Sequence, residues 1–140
     1  MVASEPSKLK SILIVEDHEL ARRALAVALK KTNFFVLQAA DGIKALQIAK
    51  THRPSVILLD IVLPGSLNGF QVCEEIKKSP LLDQIFVILT SGLKDSKEFA
   101  EAKRVRANAY LVKPFRLSRL FDILINHEQY TGKFLLDEGA

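Results

Sequence analysis

The sequence has a single cysteine and no tryptophan. One cysteine, Cys73, excludes an internal disulfide and with it the disulfide frameworks of small secreted proteins. The sequence also has no charge-free apolar run of the length that a bilayer-spanning helix needs. It begins with the polar stretch MVASEPSKLK, which lacks the apolar core of a secretory signal. We therefore expect a cytoplasmic protein that does not insert into membranes.

The sequence also lacks any long block of one charge. Its 20 Lys and Arg and 16 Asp and Glu are interspersed and give a formal net charge of +4. A basic arm with interleaved aromatic residues, as in many nucleic-acid-binding proteins, is missing. The weak positive charge favours acidic partners in general, and we do not expect nucleic-acid binding. The 140 residues suffice for one domain with a substantial core.

Five short apolar runs have the length of β-strands. They are 12–15, 34–37, 56–59, 85–89 and 110–112. Continuous apolarity without alternation is typical of strands that helices cover on both faces, as in a parallel sheet. The runs therefore predict a buried parallel sheet of five strands.

Residues with helical spacing lie between the runs. Leu20, Ala24 and Val27 follow the first strand, and 117–124 follows the last with apolar residues three and four apart. This alternation of strand and helix predicts an α/β, doubly wound domain. We expect the domain to span 11–127, with a flexible N-terminal arm at 1–10 and an unassigned C-terminal tail at 128–140.

Polar residues stand at the ends of four of the five strands. They are Glu16 and Asp17 after the first strand, Asp60 after the third, Thr90 and Ser91 after the fourth, and Lys113 after the fifth. Ligands of open parallel sheets bind beyond the carboxyl ends of the strands, so we expect these side chains to meet at one edge. The second strand ends in Gln38 and two alanines and adds nothing to the predicted set.

The three carboxylates predict a divalent-cation site. Acids brought together repel one another unless a proton or a cation intervenes, and oxygen ligands favour Mg²⁺, or Mn²⁺ as an alternative. We expect Asp17, Asp60 and the backbone carbonyl of Val62 as direct ligands. Glu16 would act through water, and Lys113 would balance the remaining negative charge.

The same set predicts phosphoryl transfer to Asp60. A carboxylate attacks phosphorus in its ionised form, so no separate base is needed. Lys113 and the cation would neutralise phosphoryl oxygens. The Thr90 hydroxyl, or that of the adjacent Ser91 in its place, would donate a hydrogen bond to another phosphoryl oxygen. Simpler interpretations exist: Asp60 as a turn residue, the first two acids as the start of a helix, and Thr90 or the adjacent Ser91 as a helix cap.

The motifs that carry these residues resemble a known family. They are ILIVED, VILLD, LPGSLNG, VILTSG and AYLVKPF. In order and spacing they are similar to the receiver domains of bacterial response regulators in two-component signal transduction, over about residues 11–127. The resemblance, to chemotaxis-like single-domain receivers above all, implies a flavodoxin-like sheet of order 2-1-3-4-5 flanked by five helices. It also implies a cis Lys113–Pro114 peptide and a Tyr110 ring that turns inward when Thr90 moves toward the phosphoryl group.

The sequence departs from the family pattern at three places. Glu16 stands where Asp is more usual. Asn68–Gly69 stands where Asp-Gly is usual and one residue later, which lengthens the loop after the phosphoacceptor. Asn108 stands where Gly is frequent, a position that Asn can fill if the backbone there is left-handed.

The resemblance implies a phosphoacceptor that is not a turnover enzyme. It would receive its phosphoryl group from a histidine kinase or histidine phosphotransfer protein, in a Mg²⁺-dependent reaction, and lose it by its own hydrolysis. The signal would pass to a protein partner through the surface of the fourth helix, fifth strand and fifth helix. That partner could be a second copy of the chain, in a phosphorylation-dependent dimer. Candidate residues of that surface are Phe99, Lys103, Arg106, Arg116 and Arg119.

Two other functions fit part of the same pattern. A pseudo-receiver that binds a partner without phosphorylation is the main alternative, although such a protein is expected to have lost an acid or the lysine. An aspartate-nucleophile phosphatase would carry a second acid two residues after its nucleophile, where this chain has Val62. Val62 and Gly92 offer no polar side chain to orient a hydrolytic water, so we predict a phosphoryl lifetime of minutes or longer.

Overall fold

The chain folds as five alternating pairs of strand and helix in a computed structural model that describes residues 10–93 and 95–127. The elements are β1 (Lys10–Val15), α1 (Glu19–Lys30), β2 (Phe34–Ala39), α2 (Gly42–His52), β3 (Val56–Asp60), α3 (Gly69–Lys78), β4 (Phe86–Ser91), α4 (Ser96–Arg104), β5 (Ala109–Val112) and α5 (Leu117–Ile125). The expected tail at 128–140, and the expected arm except for Lys10, lie outside the described residues. No helix in the described part is long and apolar enough to cross a membrane.

The five strands form one parallel sheet in the order β2-β1-β3-β4-β5. This confirms the predicted flavodoxin-like fold. All residues of β3 and β4 are buried, because these strands lie inside the sheet and helices cover both of its faces. Strand order reverses beside β1, and the carboxyl ends of β1, β3, β4 and β5 meet at one edge.

Alternate residues of each strand enter two separate cores. Leu13 and Val15 of β1 pack with α2, α3 and α4, whereas Ile12 and Ile14 pack with α1 and α5. Successive side chains of a strand point to opposite faces, so an uninterrupted apolar run serves both cores. The runs read from the sequence are therefore explained by the two helical layers.

α1 buries a different side from the one that its apolar spacing suggested. Leu20 and Val27 are 75% and 58% exposed. The buried residues are Ala26 and Leu29. The spacing correctly predicts a helix. The side of α1 that faces the sheet carries a small alanine and one leucine, a weaker apolar pattern than the exposed stripe.

Asp60, Thr90 and Ser91 belong to their strands instead of following them, whereas Glu16, Asp17 and Lys113 follow β1 and β5 as predicted. Asp60 ends β3, and Thr90 and Ser91 end β4. α4 begins after Asp95, whose side chain accepts from the Glu98 amide. The alternative that Thr90 or Ser91 caps the fourth helix is therefore wrong.

Asn108 does not have a left-handed backbone. The described non-glycine residues with positive φ are Arg53 and Arg106. Arg106, at φ 65°, turns the chain, and the Asn108 amide already donates to Val87 O at 2.9 Å. The Asn108 side chain instead bridges two elements, because its Oδ1 accepts from Val87 N and from Lys77 Nζ, both at 2.8 Å.

Lys77 is a buried lysine that the sequence did not single out. Its Nζ also donates to the carbonyl oxygens of Ile85 at 2.7 Å and Asp83 at 3.1 Å. Only 7% of the residue is exposed, and burial lowers the pKa of its ammonium. Lys77 thus ties the end of α3 to the amino ends of β4 and β5, opposite the polar edge of the sheet.

Candidate functional site

Three carboxylates meet at the carboxyl edge of the sheet, as the strand-end rule predicted. One oxygen from each of Glu16, Asp17 and Asp60 lies within 4.8 Å of the others. Glu16 and Asp60 are 7% exposed, whereas Asp17 is exposed. α1 begins at Glu19 with His18 as its N-cap. The first two acids therefore precede the helix and leave their carboxylates available to the cluster.

Lys113 neutralises part of this acidic cluster. Its Nζ lies 2.8 Å from Glu16 Oε1 and 2.8 Å from Asp60 Oδ2. The lysine follows β5, its amide donates to Ser91 O, and its peptide bond to Pro114 is cis, as the family resemblance implied. An ammonium from one strand end thus spans carboxylates from two others.

The two buried acids respond differently to this environment. Burial raises the pKa of Asp60, the neighbouring Glu16 charge adds to the rise, and the Lys113 contact offsets it only in part. Burial acts on Glu16 in the same sense, but hydrogen bonds from Lys113 and the His18 amide outweigh it and lower the pKa of Glu16. For Lys113, burial is outweighed by its two carboxylate partners, which raise its pKa. The lysine therefore stays charged.

Close packing fixes the loop that follows Asp60. The Gly69 amide donates to Ile61 O at 2.8 Å. A Cβ built on Gly69 would lie 2.3 Å from Asp60 O, so glycine is required there. Asn68 and Gln71 form a reciprocal capping box at the start of α3. The lengthened loop therefore returns tightly to the base of the site.

The Val62 backbone lies beside Asp60, where we predicted a ligand. Its amide lies 3.3 Å from Asp60 Oδ1, and Val62 is 68% exposed. The position fits the backbone role that we predicted, and its carbonyl as a ligand stays a prediction.

Strand alternation distinguishes the two adjacent hydroxyls. Thr90 is paired in register with Asp60, so their side chains leave the same face of the sheet. Ser91 lies on the other face, and its Oγ accepts from the Leu93 amide at 3.0 Å. The geometry therefore favours Thr90 as the hydroxyl beside Asp60.

Tyr110 is fully buried. Its ring packs edge-on against Phe99 with centroids 4.7 Å apart. Its hydroxyl donates to Leu93 O at 2.8 Å and also interacts with Ser91. The ring therefore occupies the inward position that the resemblance describes, linked to the segment just after Thr90. Its turning stays a prediction.

The predicted partner surface contains residues in different environments. Phe99 is half-buried against Tyr110, and Arg106 lies at the amino end of β5, where its guanidinium donates to Lys77 O. Lys103 and Arg116 are exposed, and Arg119 is half-buried. Arg106 thus lies at the end of the sheet opposite the polar edge.

Arg22 and Gln38 adjoin the site, although we assigned neither to it. Arg22 Nη1 donates to the backbone oxygen of Glu16 at 3.0 Å, and its Nε donates to Gln38 Oε1 at 3.1 Å. β2 therefore supports the site indirectly. A polar Gln in an otherwise apolar strand was the available signal, whereas Arg22 is one of several arginines and carried none.

Comparison with known proteins identifies the family that these features suggest. The profile of the family described as "Response regulator receiver domain" matches residues 12–125. Similar proteins include the transcriptional regulatory protein AfsQ1 of Streptomyces coelicolor, with 33% identity over 84% of this chain and 50% of the relative. PhoP of Bacillus subtilis, an alkaline phosphatase synthesis transcriptional regulatory protein, shows 36% identity over 76% of this chain and 43% of its own length. The chain thus spans half or less of these two relatives.

Solved structures show the same fold. The chemotaxis protein CheY4 of Vibrio cholerae superimposes with a TM-score of 0.79 at 26% identity, over 84% of this chain and 98% of CheY4. The receiver domain of the sensor histidine kinase PA1611 from Pseudomonas aeruginosa superimposes with a TM-score of 0.76 at 27% identity, over 89% of this chain and 98% of that domain. That structure is described as having a magnesium ion coordinated in its active-site cleft.

Proposed function

Since the chain belongs to the response regulator receiver domain family, whose members are phosphoacceptors of two-component systems, we propose that Asp60 is its phosphoacceptor. An Asp60 carboxylate oxygen forms a bond to phosphorus while the bond between phosphorus and the donor's leaving group breaks. The donor is a histidine kinase or a histidine phosphotransfer protein. The product is an aspartyl phosphate.

The observation that carries this proposal is the position of Lys113. Its ammonium contacts Asp60 and Glu16 at 2.8 Å each, at the edge where three carboxylates converge. A phosphoryl group transferred to Asp60 brings more negative charge to this edge. The ammonium is already within contact distance to compensate it. Thr90 is paired in register with Asp60, so its hydroxyl could donate a hydrogen bond to the phosphoryl group.

We further propose that the acidic cluster binds Mg²⁺, or Mn²⁺ in its place. The donor set consists of carboxylate oxygens within 4.8 Å of one another, the chemistry that hard divalent cations prefer. Asp17, Asp60 and the Val62 carbonyl would hold the ion directly, and Glu16 through water. Bound there, the cation would supply positive charge against phosphoryl oxygens.

The output we propose is a change of the surface formed by α4, β5 and α5. Tyr110 connects this surface to the site, because its hydroxyl binds Leu93 O three residues after Thr90. A shift of Thr90 toward a phosphoryl group would disturb that contact and favour a second packing. The partner would be another protein, or a second copy of this chain in a phosphorylation-dependent dimer. This signalling would take place in the cytoplasm, and the chain would not act as a turnover enzyme.

Incubation with acetyl phosphate and Mg²⁺, followed by intact-mass measurement, tests the proposal. We expect one phosphoryl adduct on wild type and none on Asp60→Asn. Asp83→Asn is a matched control, because it removes an exposed carboxylate at the other end of the sheet and should accept phosphate as wild type does. An adduct that persists in Asp60→Asn would refute the assignment. Complete lack of an adduct on wild type would favour the phosphorylation-independent pseudo-receiver.

A phosphate mimic tests the output. Beryllofluoride with Mg²⁺ should shift NMR signals of α4, β5 and α5 in addition to those of the site. If the signals of that surface stayed unchanged, the proposed conformational switch would be refuted.

A further inference from the structure

Each polar group of Glu16 has a partner. Its amide donates to Ala39 O at 3.1 Å. Its carboxylate accepts from Lys113 Nζ at 2.8 Å and from His18 N at 3.0 Å. Its backbone oxygen accepts from Arg22 Nη1 at 3.0 Å. The first three contacts come from the backbone or from the site itself, so Arg22 is the outside side chain that holds this residue.

The Arg22 contact also affects Asp17. The oxygen of Glu16 belongs to the planar peptide that joins Glu16 to Asp17, so fixing that oxygen fixes the direction in which the chain leaves toward Asp17. Within the described part of the chain, the Asp17 side chain has no hydrogen-bond partner of its own. Its placement in the acidic cluster therefore depends on the backbone that Arg22 holds.

Gln38 orients the guanidinium for this task. Arg22 Nε donates to Gln38 Oε1 at 3.1 Å while Nη1 reaches Glu16 O. The planar guanidinium presents these donors in a fixed geometry that a lysine ammonium does not reproduce. Arg22 is thus braced against the end of β2 and reaches across to the loop after β1.

We propose that Arg22 is a positioning residue of the divalent-cation site, acting through the Glu16–Asp17 peptide. This inference rests on the proposed Mg²⁺ site. It predicts the direction of the effect. The positive charge of Arg22 near the acids should by itself weaken Mg²⁺ binding, whereas a hydrogen bond that positions the ligands should strengthen Mg²⁺ binding. Loss of Arg22 therefore distinguishes the two effects.

The test is a MgCl₂ titration of the full chain, followed by amide NMR signals of the acidic loop. Arg22→Gln should raise the half-saturating Mg²⁺ concentration about tenfold, the low end of the effect typical of outer-sphere residues. Arg22→Lys keeps the positive charge but loses the planar pair of donors. It should weaken Mg²⁺ binding less than Arg22→Gln does. Gln38→Leu should act in the same direction. Arg23→Gln is the matched control, because it removes the same charge one position away, from a 68% exposed side chain that pairs with Glu19. Its half-saturating Mg²⁺ concentration should stay within about twofold of that of wild type.

Acetyl phosphate labelling adds a readout that separates positioning from general stability. For Arg22→Gln, the Mg²⁺ concentration that gives half-maximal labelling should rise, while the rate at saturating Mg²⁺ stays within about twofold, because Asp60 and Lys113 are intact. A lower melting temperature with unchanged Mg²⁺ affinity would show a merely structural role and overturn the proposal. Tighter Mg²⁺ binding in Arg22→Gln, or an equal loss in Arg23→Gln, would overturn it as well.

The two proposals fail in different ways. If wild type binds Mg²⁺ with the expected Arg22 dependence but takes no phosphoryl group, phosphoacceptance fails and the positioning role stands. If wild type shows no Mg²⁺-dependent shifts, the positioning role is refuted, whatever the labelling shows.

Discussion

Replacing Lys77 with methionine should destabilise the domain although Lys77 lies away from the acidic cluster. Methionine keeps much of the apolar stem and removes the ammonium. Three oxygens lose a donor: those of Asp83, Ile85 and the Asn108 side chain. The Asn108 oxygen keeps the Val87 amide, and the partly buried Asp83 contact is open to replacement by water.

The magnitude follows from the carbonyl that remains buried. An unsatisfied buried acceptor costs about 1–3 kcal/mol, and release from the cost of burying an ammonium offsets part of the lost contacts. We therefore expect Lys77→Met to lower the free energy of unfolding by about 1–3 kcal/mol. Urea titration followed by far-UV circular dichroism measures this difference.

Lys78→Met provides the matched control. Its side chain is 65% exposed and pairs with Glu74 one turn earlier at 3.4 Å. An exposed pair of this kind contributes little, so the change should stay within about 0.5 kcal/mol of wild type. If Lys77→Met were as stable as Lys78→Met, or more stable than wild type, the cost of burying the ammonium would match or exceed the value of its three contacts. The structural role assigned to Lys77 would then be wrong.

Three further predictions concern the site. Burial raises the pKa of Asp60 above the ordinary 3.8, so ionisation of this carboxyl destabilises the fold as pH rises through the raised value. Without Mg²⁺, Asp60→Asn should therefore increase the melting temperature at pH 7. The increase should become smaller as pH falls toward 3.8. A decrease at pH 7 would show that the Lys113 contact outweighs burial. Gly69→Ala should cost more than about 2 kcal/mol in urea unfolding because its Cβ meets backbone at 2.3 Å, whereas Gly92→Ala, with open space, should not. Labelled aspartyl phosphate should persist for minutes or longer beside Val62, and its loss within seconds would contradict this.

The location of the site could be predicted because it depends on the backbone. Apolar runs without alternation indicated a parallel sheet, and the ends of parallel strands must share an edge. Asp60 and Lys113 were therefore placed together from position alone. The strand order and the cis peptide came from the resemblance to a family.

The remaining features depend on side-chain packing that a single sequence does not reveal. The stripe of Leu20 and Val27 had the right period but faces solvent, since helical spacing does not say which side meets the sheet. Asn108 stands where glycine is frequent in the family, yet its backbone is not left-handed. Its side chain instead serves Lys77, a contact between positions 31 residues apart.

The pairing of Asp60 with Thr90 in neighbouring strands limits how this site can vary. Adjacent strands are held about 4.8 Å apart by main-chain hydrogen bonds, whatever their side chains. The spacing of the two residues' backbones is thus independent of their side chains, and substitutions elsewhere in the core can leave it intact. Chemical variation at this pair is confined to the length and polarity of the two side chains.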